Sequence, residues 1–297
     1  MDKALELKIS LDNGLSISQD EALQLLAQSE LVKELTRDWS DDPLFCVWRL
    51  IALSEIPFAQ HLEYTDRLID QVFERLTTPF GFSLSGDEKY FLPCYNAMLI
   101  SAMCRLGQSR AEHVLNGVEW ITTYQPMERG LSVSTSKLNF DRFGGCFKHT
   151  PCYIGVAKSV FALLSYWKAT GDTGVSEKLE KGKEYLLDHE LVRKLSDGKP
   201  ITQHIMDISF PESYHLNIVE LIRFSSNANL LDDPRSHFAV RYLEKKKGKT
   251  GWKTDFRYRS NGYISFDKNG RKAGDWVTYI INHALNGFNT EKFAVKE

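Results

Sequence analysis

Two cysteines and a histidine are spaced three residues apart near the middle of the chain: Cys146, His149 and Cys152. Thiolate and imidazole are ligands that zinc prefers, and a zinc site takes four protein ligands or three and a water molecule. Residues three apart lie on nearly one face of a helix, and on a loop they can fold around one ion. The spacing therefore predicts a metal site, with zinc as the metal.

Cys94 is the predicted fourth ligand, because it follows Pro93 at the start of an apolar segment and Cys152 also starts one. If the two segments are neighbouring inner helices of a ring, their starts lie side by side. Two alternatives stay open. The cysteines are small core residues and His149 is a hydrogen-bonded loop residue, or Cys152 is a catalytic thiol activated by a helix N-terminus and an imidazole.

A second group of polar residues surrounds a later predicted helix start. Its members are His204, Asp207, Glu212, His215 and Asn217. His215 follows Glu212 by three residues, so both could point into a cavity, and we predict acid–base chemistry for His215. The alternative is that these side chains cap the helix backbone.

A third group lies near the C-terminus: Asp255, Arg257, Arg259, Asp267, Arg271, Asp275 and Trp276. Arg257 and Arg259 alternate along a possible strand and so face one side. We predict that they bind a phosphate or carboxylate, and that Asp275 is a second acid–base residue. The alternative is a salt-bridge network that closes the ring.

Aromatic residues recur at the predicted starts of buried helices. Tyr95, Tyr153, Tyr214 and Trp276 are the predicted substrate-binding members of this set. Aromatic side chains there suit an apolar or cationic ligand, although aromatic residues at helical spacing are also typical of a core.

Helical periodicity of apolar residues predicts amphipathic helices that alternate with nearly all-apolar ones. We expect helices at about residues 19–37, 44–55, 62–77, 93–106, 109–124, 152–168, 177–189, 211–224, 233–246 and 275–288. A Gly-rich stretch with hairpin character is expected at 252–266. The predicted fold is all-α, a single-domain α/α toroid over 1–297 with about five to six helix hairpins, buried helices inside and amphipathic helices outside. An open superhelix is the alternative.

Three helix ends share one pattern, in which a short polar stretch leads to glycine and a large apolar residue. The three stretches are 74–83, 119–132 and 242–253. A repeat of about 45–65 residues is typical of helix-hairpin arrays.

These glycine–aromatic junctions resemble the repeats of squalene and hopene cyclases and of protein prenyltransferase β subunits. More closely than these, the chain resembles the bacterial and archaeal prenyltransferase/squalene-oxidase-repeat proteins. The resemblance covers about residues 92–288 and is carried by the blocks 93–107 with 118–121, 146–158 with 182–189, and 210–220 with 251–253 and 272–278. It implies an α/α toroid with a central cavity for a small ligand, isoprenoid-like or otherwise apolar or anionic.

The chain departs from the chemistry of those families. It has neither the Asp-x-Asp-Asp motif of the triterpene cyclases nor the Asp-x-Cys zinc pair of the protein prenyltransferases, and Asn217 stands where the family pattern has an acid. The resemblance therefore implies a fold and a cavity but no reaction. Two functions stay open, an enzyme that uses the Cys/His cluster and a non-catalytic binding or scaffold toroid whose cysteines are structural.

The composition and charge of the chain limit the kinds of binding partner and cellular location that we expect. The net charge of the 297 residues is -2, so no nucleic-acid partner is expected. No apolar run approaches the roughly 20 residues of a membrane span. The N-terminus lacks the apolar core of a signal peptide, so we expect a cytoplasmic protein, in which the five cysteines are not a disulfide framework. Nucleotide-binding and serine-hydrolase motifs are absent.

Overall fold

The computed structural model describes residues 1–128, 152–268 and 270–288. Within these ranges the chain is mostly helical, with one short two-stranded hairpin. The predicted all-α class is confirmed.

The chain divides into two compact units. The first holds Met1–Leu179 and Arg259–Ile264, and the second holds Glu180–Tyr258 and Ser265–Glu297. The arrangement of the chain as one toroid domain stays a prediction.

Eight α-helices are described within the first unit, and a ninth crosses its boundary. They are α1 (Lys3–Asp12), α2 (Gln19–Gln28), α3 (Glu30–Arg37), α4 (Pro43–Ser54), α5 (Glu63–Arg75), α6 (Pro93–Arg105), α7 (Glu112–Tyr124) and α8 (Tyr153–Thr170), followed by α9 (Ser176–Asp188) across the boundary. Strands β1 (Thr77–Thr78) and β2 (Gly81–Phe82) pair antiparallel between α5 and α6.

Three nearly all-apolar helices, α4, α6 and α8, pack as a row in which α6 contacts both of the others. Each follows a sequence in which apolar residues occupy every face. Arg105, the last residue of α6, forms an ion pair of 3.0 Å with Glu55 just after α4. Tyr95, near the start of α6, contacts the ring of Trp48 in α4. The C-terminal ends of α4 and α6 are thus in contact, and so are turns nearer their N-termini. The two helices therefore run in the same direction.

The amphipathic helices α5 and α7 lie against this row. Helix α5 packs on α4, and α7 packs on α6 and α8. Their buried residues form one stripe, such as Leu68, Ile69 and Val72 of α5, while charged residues occupy the other face. A single apolar stripe is what places a helix at the edge of a core rather than inside it.

The β1–β2 hairpin fixes a close approach between α6 and α7. Gly81 has a φ of 111°, and a Cβ there would lie 2.6 Å from the Cα of Gly117. The backbone N–H of Phe82 donates to Oδ1 of Asn96 at 2.9 Å. Position 81 requires glycine, because the backbone angle is positive and there is no space for a Cβ.

The second unit contains α10 (Ile218–Asn227), α11 (His237–Lys246) and α12 (Asp275–Ala284). Helix α10 packs on α11 and α12. Trp252 is fully buried, and its indole N–H donates to the carbonyl oxygen of Leu243 at 2.7 Å. Short 3-10 helices in the two units lie at Ala59–His61, Glu88–Tyr90, Thr173–Val175 and Pro234–Ser236.

The N-terminal helices differ from the expectation. The single helix predicted for 19–37 is two helices, α2 and α3, that break at Ser29. The Ser29 hydroxyl accepts the N–H of Val32 at 3.1 Å and donates to Oδ1 of Asp2 at 2.6 Å. Capping of this kind starts a new helix. Helix α1 has no counterpart among the predicted helices.

The helix predicted for 211–224 is wrong in its first seven residues, because α10 begins only at Ile218. The Asn217 side chain accepts the N–H groups of Val219 and Glu220 and so caps α10. Exposed residues alternate with less exposed ones from Trp252 to Ser260. A turn at residues 261–262 follows, in which the N–H of Tyr263 donates to the carbonyl oxygen of Ser260 at 3.2 Å. The described residues of the stretch 252–266 form no strand ladder with each other, so the turn of the predicted hairpin is present and its strand pairing is not.

Candidate functional site

Cys94 and Cys152 lie at the starts of the two packed helices α6 and α8. Cys94 is the second residue of α6 and is buried. Cys152 precedes α8, and its Sγ accepts the backbone N–H of Gly155 at 3.3 Å. Sγ of Cys152 and Cβ of Pro93 both lie within 4 Å of the point where a Gly155 side chain would begin. The two helix starts are therefore adjacent, as the sequence predicted.

The other two predicted ligands, Cys146 and His149, lie outside the described residues. Within the described ranges, no group of three or more His, Cys, Asp or Glu side chains is arranged to hold a metal ion. Cys94 and Cys152 alone therefore do not make a site, and the zinc site stays a prediction that depends on Cys146 and His149.

Two further thiols described in the first unit, Cys46 and Cys104, have strongly raised pKa values. Burial raises the pKa of Cys46 to about 11 and the pKa of Cys104 to about 12. Both thiols therefore stay protonated near neutral pH, and a protonated thiol is neither a nucleophile nor a metal ligand. Any thiol chemistry in the described part of this unit belongs to Cys94 or Cys152.

The predicted aromatic residues Tyr95 and Tyr153 belong to the same end of α6 and α8. Both are buried. The Tyr95 ring lies 5.9 Å from Trp48, which in turn contacts the ring of Tyr263 and donates its indole N–H to the Ser260 hydroxyl at 3.0 Å. These contacts place Tyr95 in a packed aromatic cluster, and a substrate-binding role for it stays a prediction.

His215 lies in a half-buried cluster of the second unit, on the loop before α10. Nδ1 of His204 lies 2.7 Å from Oδ2 of Asp207, and the His204 and His215 rings are 4.6 Å apart. Phe256 stacks on His204 at 4.0 Å. The rings of Tyr214 and Tyr258 each meet the His215 ring edge-on at 5.5 Å. Aromatic rings thus surround two imidazoles.

The electrostatics of this cluster suit proton transfer. A carboxylate can only accept, so the Asp207 contact puts the His204 proton on Nδ1 and leaves Nε2 as the basic atom. Burial lowers the pKa of His215, the neighbouring His204 lowers it further, and Asp207 acts in the opposite direction. No hydrogen bond joins the His215 ring to another described residue. His215 is therefore neutral near pH 7, and its ring nitrogens are available to a ligand.

Asn217 has the structural role that the capping alternative describes. Asn217 is buried; besides capping α10, its amide donates to the Ser209 hydroxyl at 3.0 Å and to Glu220 at 2.9 Å. Glu212 is buried outside any helix. The helical spacing that was expected to align Glu212 with His215 does not exist here.

At the start of α12, the buried acid is Asp267 and not the predicted Asp275. Asp267 accepts the N–H groups of Trp276 at 3.2 Å and Val277 at 2.8 Å. Burial raises its pKa, against the effect of those two N–H donors. Asp275 is exposed in the first turn. The sequence pattern gives no sign of this role of Asp267, because the cap is supplied from eight residues before the helix.

Trp276 packs inside the second unit. Its ring lies 4.8 Å from Phe266 and 6.0 Å from Phe210, and its indole Nε1 is buried with no hydrogen-bond partner in the described chain. Arg257 and Arg259 are both exposed, in the irregular stretch 252–260. They belong to different units. Anion binding by these two arginines stays a prediction.

Arg49 was not among the sequence candidates, although it is the one charged residue within the apolar helix α4. That isolation is the signal that could have found it. Its guanidinium is buried, with two nitrogens that lack a partner in the described part of the chain.

Comparison with protein-family models, curated proteins and solved structures finds no match for this chain. None of the helices in the described part of the chain combines the length and apolar character that a membrane crossing requires.

Proposed function

We propose that this chain is an enzyme built on a terpenoid-cyclase-like α/α toroid, with its active site at the end where α6 and α8 begin. The observation that carries the proposal is the position of Pro93 and Cys152, which both approach Gly155 within 4 Å. It brings Cys94 and Cys152 to one end of a helix pair. The packed row α4, α6 and α8, with α5 and α7 against it, supports the toroid, because such a ring repeats this pairing.

Cys94 and Cys152, the two predicted ligands among the described residues, carry thiols that suit zinc. Two thiols at adjacent helix starts would supply two of the four ligands, and the sequence hypothesis adds Cys146 and His149. Bound zinc would supply a Lewis acid and lower the pKa of a bound water molecule. If no metal binds, Cys152 acts as a nucleophile, since its Sγ already faces the N–H of Gly155 at the start of α8.

The resemblance to the cyclase and prenyltransferase repeats supports an isoprenoid-like or other small apolar or anionic substrate, bound in a central cavity. The buried aromatic residues Tyr95 and Tyr153 at the same end support an apolar portion of that substrate.

Acid–base catalysis is a second candidate function, and the His204–Asp207 contact of 2.7 Å favours it. An imidazole oriented by a carboxylate is a general base when its second nitrogen reaches a substrate proton. His215, kept neutral by burial, would be the partner acid–base group. This candidate does not depend on the cysteines.

Metal analysis tests the first candidate. The protein is purified without a metal-affinity column, and zinc is measured in the wild type and in Cys94→Ala, Cys152→Ala and Cys104→Ala. We expect about one zinc per chain in the wild type and in Cys104→Ala, and a loss in the other two variants. A wild type without stoichiometric metal removes the zinc form of the proposal. Full occupancy in Cys94→Ala removes Cys94 from the ligands.

A further inference from the structure

Arg49 is a buried cation that no carboxylate of the described chain reaches at hydrogen-bond distance. Its side chain is 4% exposed, in the middle of the apolar helix α4. Nε and Nη1 are buried and have no hydrogen-bond partner among the described residues. No other lysine or arginine of the described ranges has a buried nitrogen in this condition.

Asp38 is the nearest carboxylate, but it is engaged elsewhere. Its Oδ2 is 4.0 Å from Nη2 of Arg49, which is longer than a hydrogen bond. Both oxygens of Asp38 accept from Arg37, each at 3.3 Å. The Tyr64 hydroxyl donates to the backbone oxygen of Asp38 at 2.7 Å. Asp38 is therefore a long-range ion-pair partner of Arg49 that makes no hydrogen bond to it.

Burying the Arg49 guanidinium with two nitrogens that lack a hydrogen-bond partner in the described chain is energetically unfavourable unless a ligand pairs with them. Removing a charged group from water costs several kcal/mol when no partner replaces the water. Burial lowers the pKa of Arg49, and Tyr64, Asp38 and Glu34 offset part of that effect. An arginine nevertheless stays charged in proteins. Buried polar groups without a partner call for an explanation such as a bound ion.

We propose that Arg49 anchors a binding site for a small oxyanion, a carboxylate or a phosphate, beneath the Asp38 loop (residues 38–42, between α3 and α4). The guanidinium presents parallel N–H pairs that match two oxygens of such an anion. Phe45 lies on the guanidinium, with its ring centre 4.9 Å from Cζ, so the ligand approaches the edge of the group. Nη2, the nitrogen nearest Asp38, marks the entry, and the ligand takes the place that the Asp38 carboxylate borders.

The charges around the entry set the selectivity. Arg37 and the exposed Arg67, whose guanidinium lies 4.6 Å from the Trp39 ring, attract an anion. Asp38 and Glu34 repel it. A ligand therefore gains net stabilisation only if it reaches Arg49 itself, which favours a compact oxyanion. The site lies within the first unit and does not depend on the proposed function.

Thermal stability in defined anions tests the proposal. The melting temperature is measured at constant ionic strength while chloride is replaced by inorganic phosphate or by acetate. The proteins are the wild type, Arg49→Met, and Arg67→Met as the control that removes a nearby exposed positive charge. We expect a saturable rise with at least one of the two anions in the wild type and in Arg67→Met, and none in Arg49→Met.

Two further variants keep the test decisive if Arg49→Met does not fold. Arg49→Lys keeps the charge but loses the paired N–H donors, so we expect a weaker rise. Asp38→Asn removes the competing carboxylate, so we expect the rise to occur at a lower anion concentration. A wild type that responds to neither anion overturns the proposal, as does an equal response in Arg49→Met or Arg49→Lys.

Discussion

The side chain of Thr278 accepts the backbone N–H of Trp252 at 3.0 Å. The same relationship joins Asn96 and Phe82 at 2.9 Å in the other unit. In both cases the donor follows a glycine of positive φ, and the acceptor is the fourth residue of a helix, α12 or α6. Two of the three junctions predicted from the sequence, 74–83 and 242–253, thus share one hydrogen bond. Gly130, the glycine of the junction at 119–132, lies outside the described residues.

Replacing Gly251 by alanine tests this junction. A Cβ at Gly251 would overlap the Thr278 side chain, and its φ is 129°. We expect Gly251→Ala to lower the free energy of unfolding by about 2–4 kcal/mol, the sum of backbone strain and overpacking. Denaturant unfolding measures it.

The matched control for that substitution is Gly107→Ala. Gly107 also has a positive φ, of 81°, but nothing lies within 4 Å of its Cβ position. It should lose only the strain part, about 1 kcal/mol. Equal losses in the two variants would show that the close approach to Thr278 contributes nothing.

The buried helices were predictable because their sequences specify both ends and all faces. Pro43 and Pro93 occupy first turns, where proline is favoured, and the predicted starts at 44 and 93 lie within one residue of α4 and α6. The break at Ser29 and the late start of α10 depend on how single side chains, Ser29 and Asn217, bond to the backbone. Hydrophobic periodicity does not encode such bonds.

His215 should make the protein less stable as the pH falls. Its pKa in the folded protein lies below the ordinary value of 6.5, so the unfolded chain takes up its proton first. The stabilisation is complete above the unfolded pKa and is lost as the pH drops through the range beneath it. Melting temperatures from pH 7.5 to 5 should fall more steeply in the wild type than in His215→Asn.

The control for this pH dependence is the exposed His61, in His61→Asn. It should keep the wild-type slope. His204 and Asp207 also face His215, and they remain in both variants. The account of His215 is contradicted if His215→Asn and the wild type have the same slope.

Asp267 should stabilise α12 from outside the helix. Its two hydrogen bonds replace the side-chain cap that Gly274 cannot provide. Asp267→Ala should lower the free energy of unfolding by about 1–2 kcal/mol. The exposed Asp275 offers only an interaction with the helix dipole, so Asp275→Ala should cost less, about 0.3–1 kcal/mol. A larger loss in Asp275→Ala would reverse the assignment of the cap.

The thiols should differ in their reaction with iodoacetamide. Cys104 has a pKa of about 12 and Cys46 one of about 11, both through burial, so neither should be alkylated in the native protein at pH 7.5. Cys152, partly exposed at the start of α8, should react first if it is not bound to metal. Peptide mass spectrometry of samples taken over time identifies the order. Labelling of Cys104 before Cys152 would contradict it.

The candidate site was only partly predictable. Cys94 and Cys152 were identified together because each starts an apolar segment, and like starts of packed helices meet. The His204–Asp207 contact was not specified, since both residues lie on an irregular loop whose path depends on distant packing against Phe256. Arg49 was not predicted as a site residue, because a single charge in an apolar helix does not change the periodic pattern of apolar residues.

The central claim is that α6 and α8 begin side by side, which brings the thiols of Cys94 and Cys152 to one end of the pair. It is tested by an arsenical that bridges two neighbouring thiols, added to native protein that keeps only these two cysteines, the other three being replaced by alanine. The control keeps only Cys94 and Cys104, which lie ten residues apart along α6, about 15 Å. We expect stoichiometric binding to the first protein and none to the second. Failure of the first protein to bind, or equal binding by both, would contradict the claim.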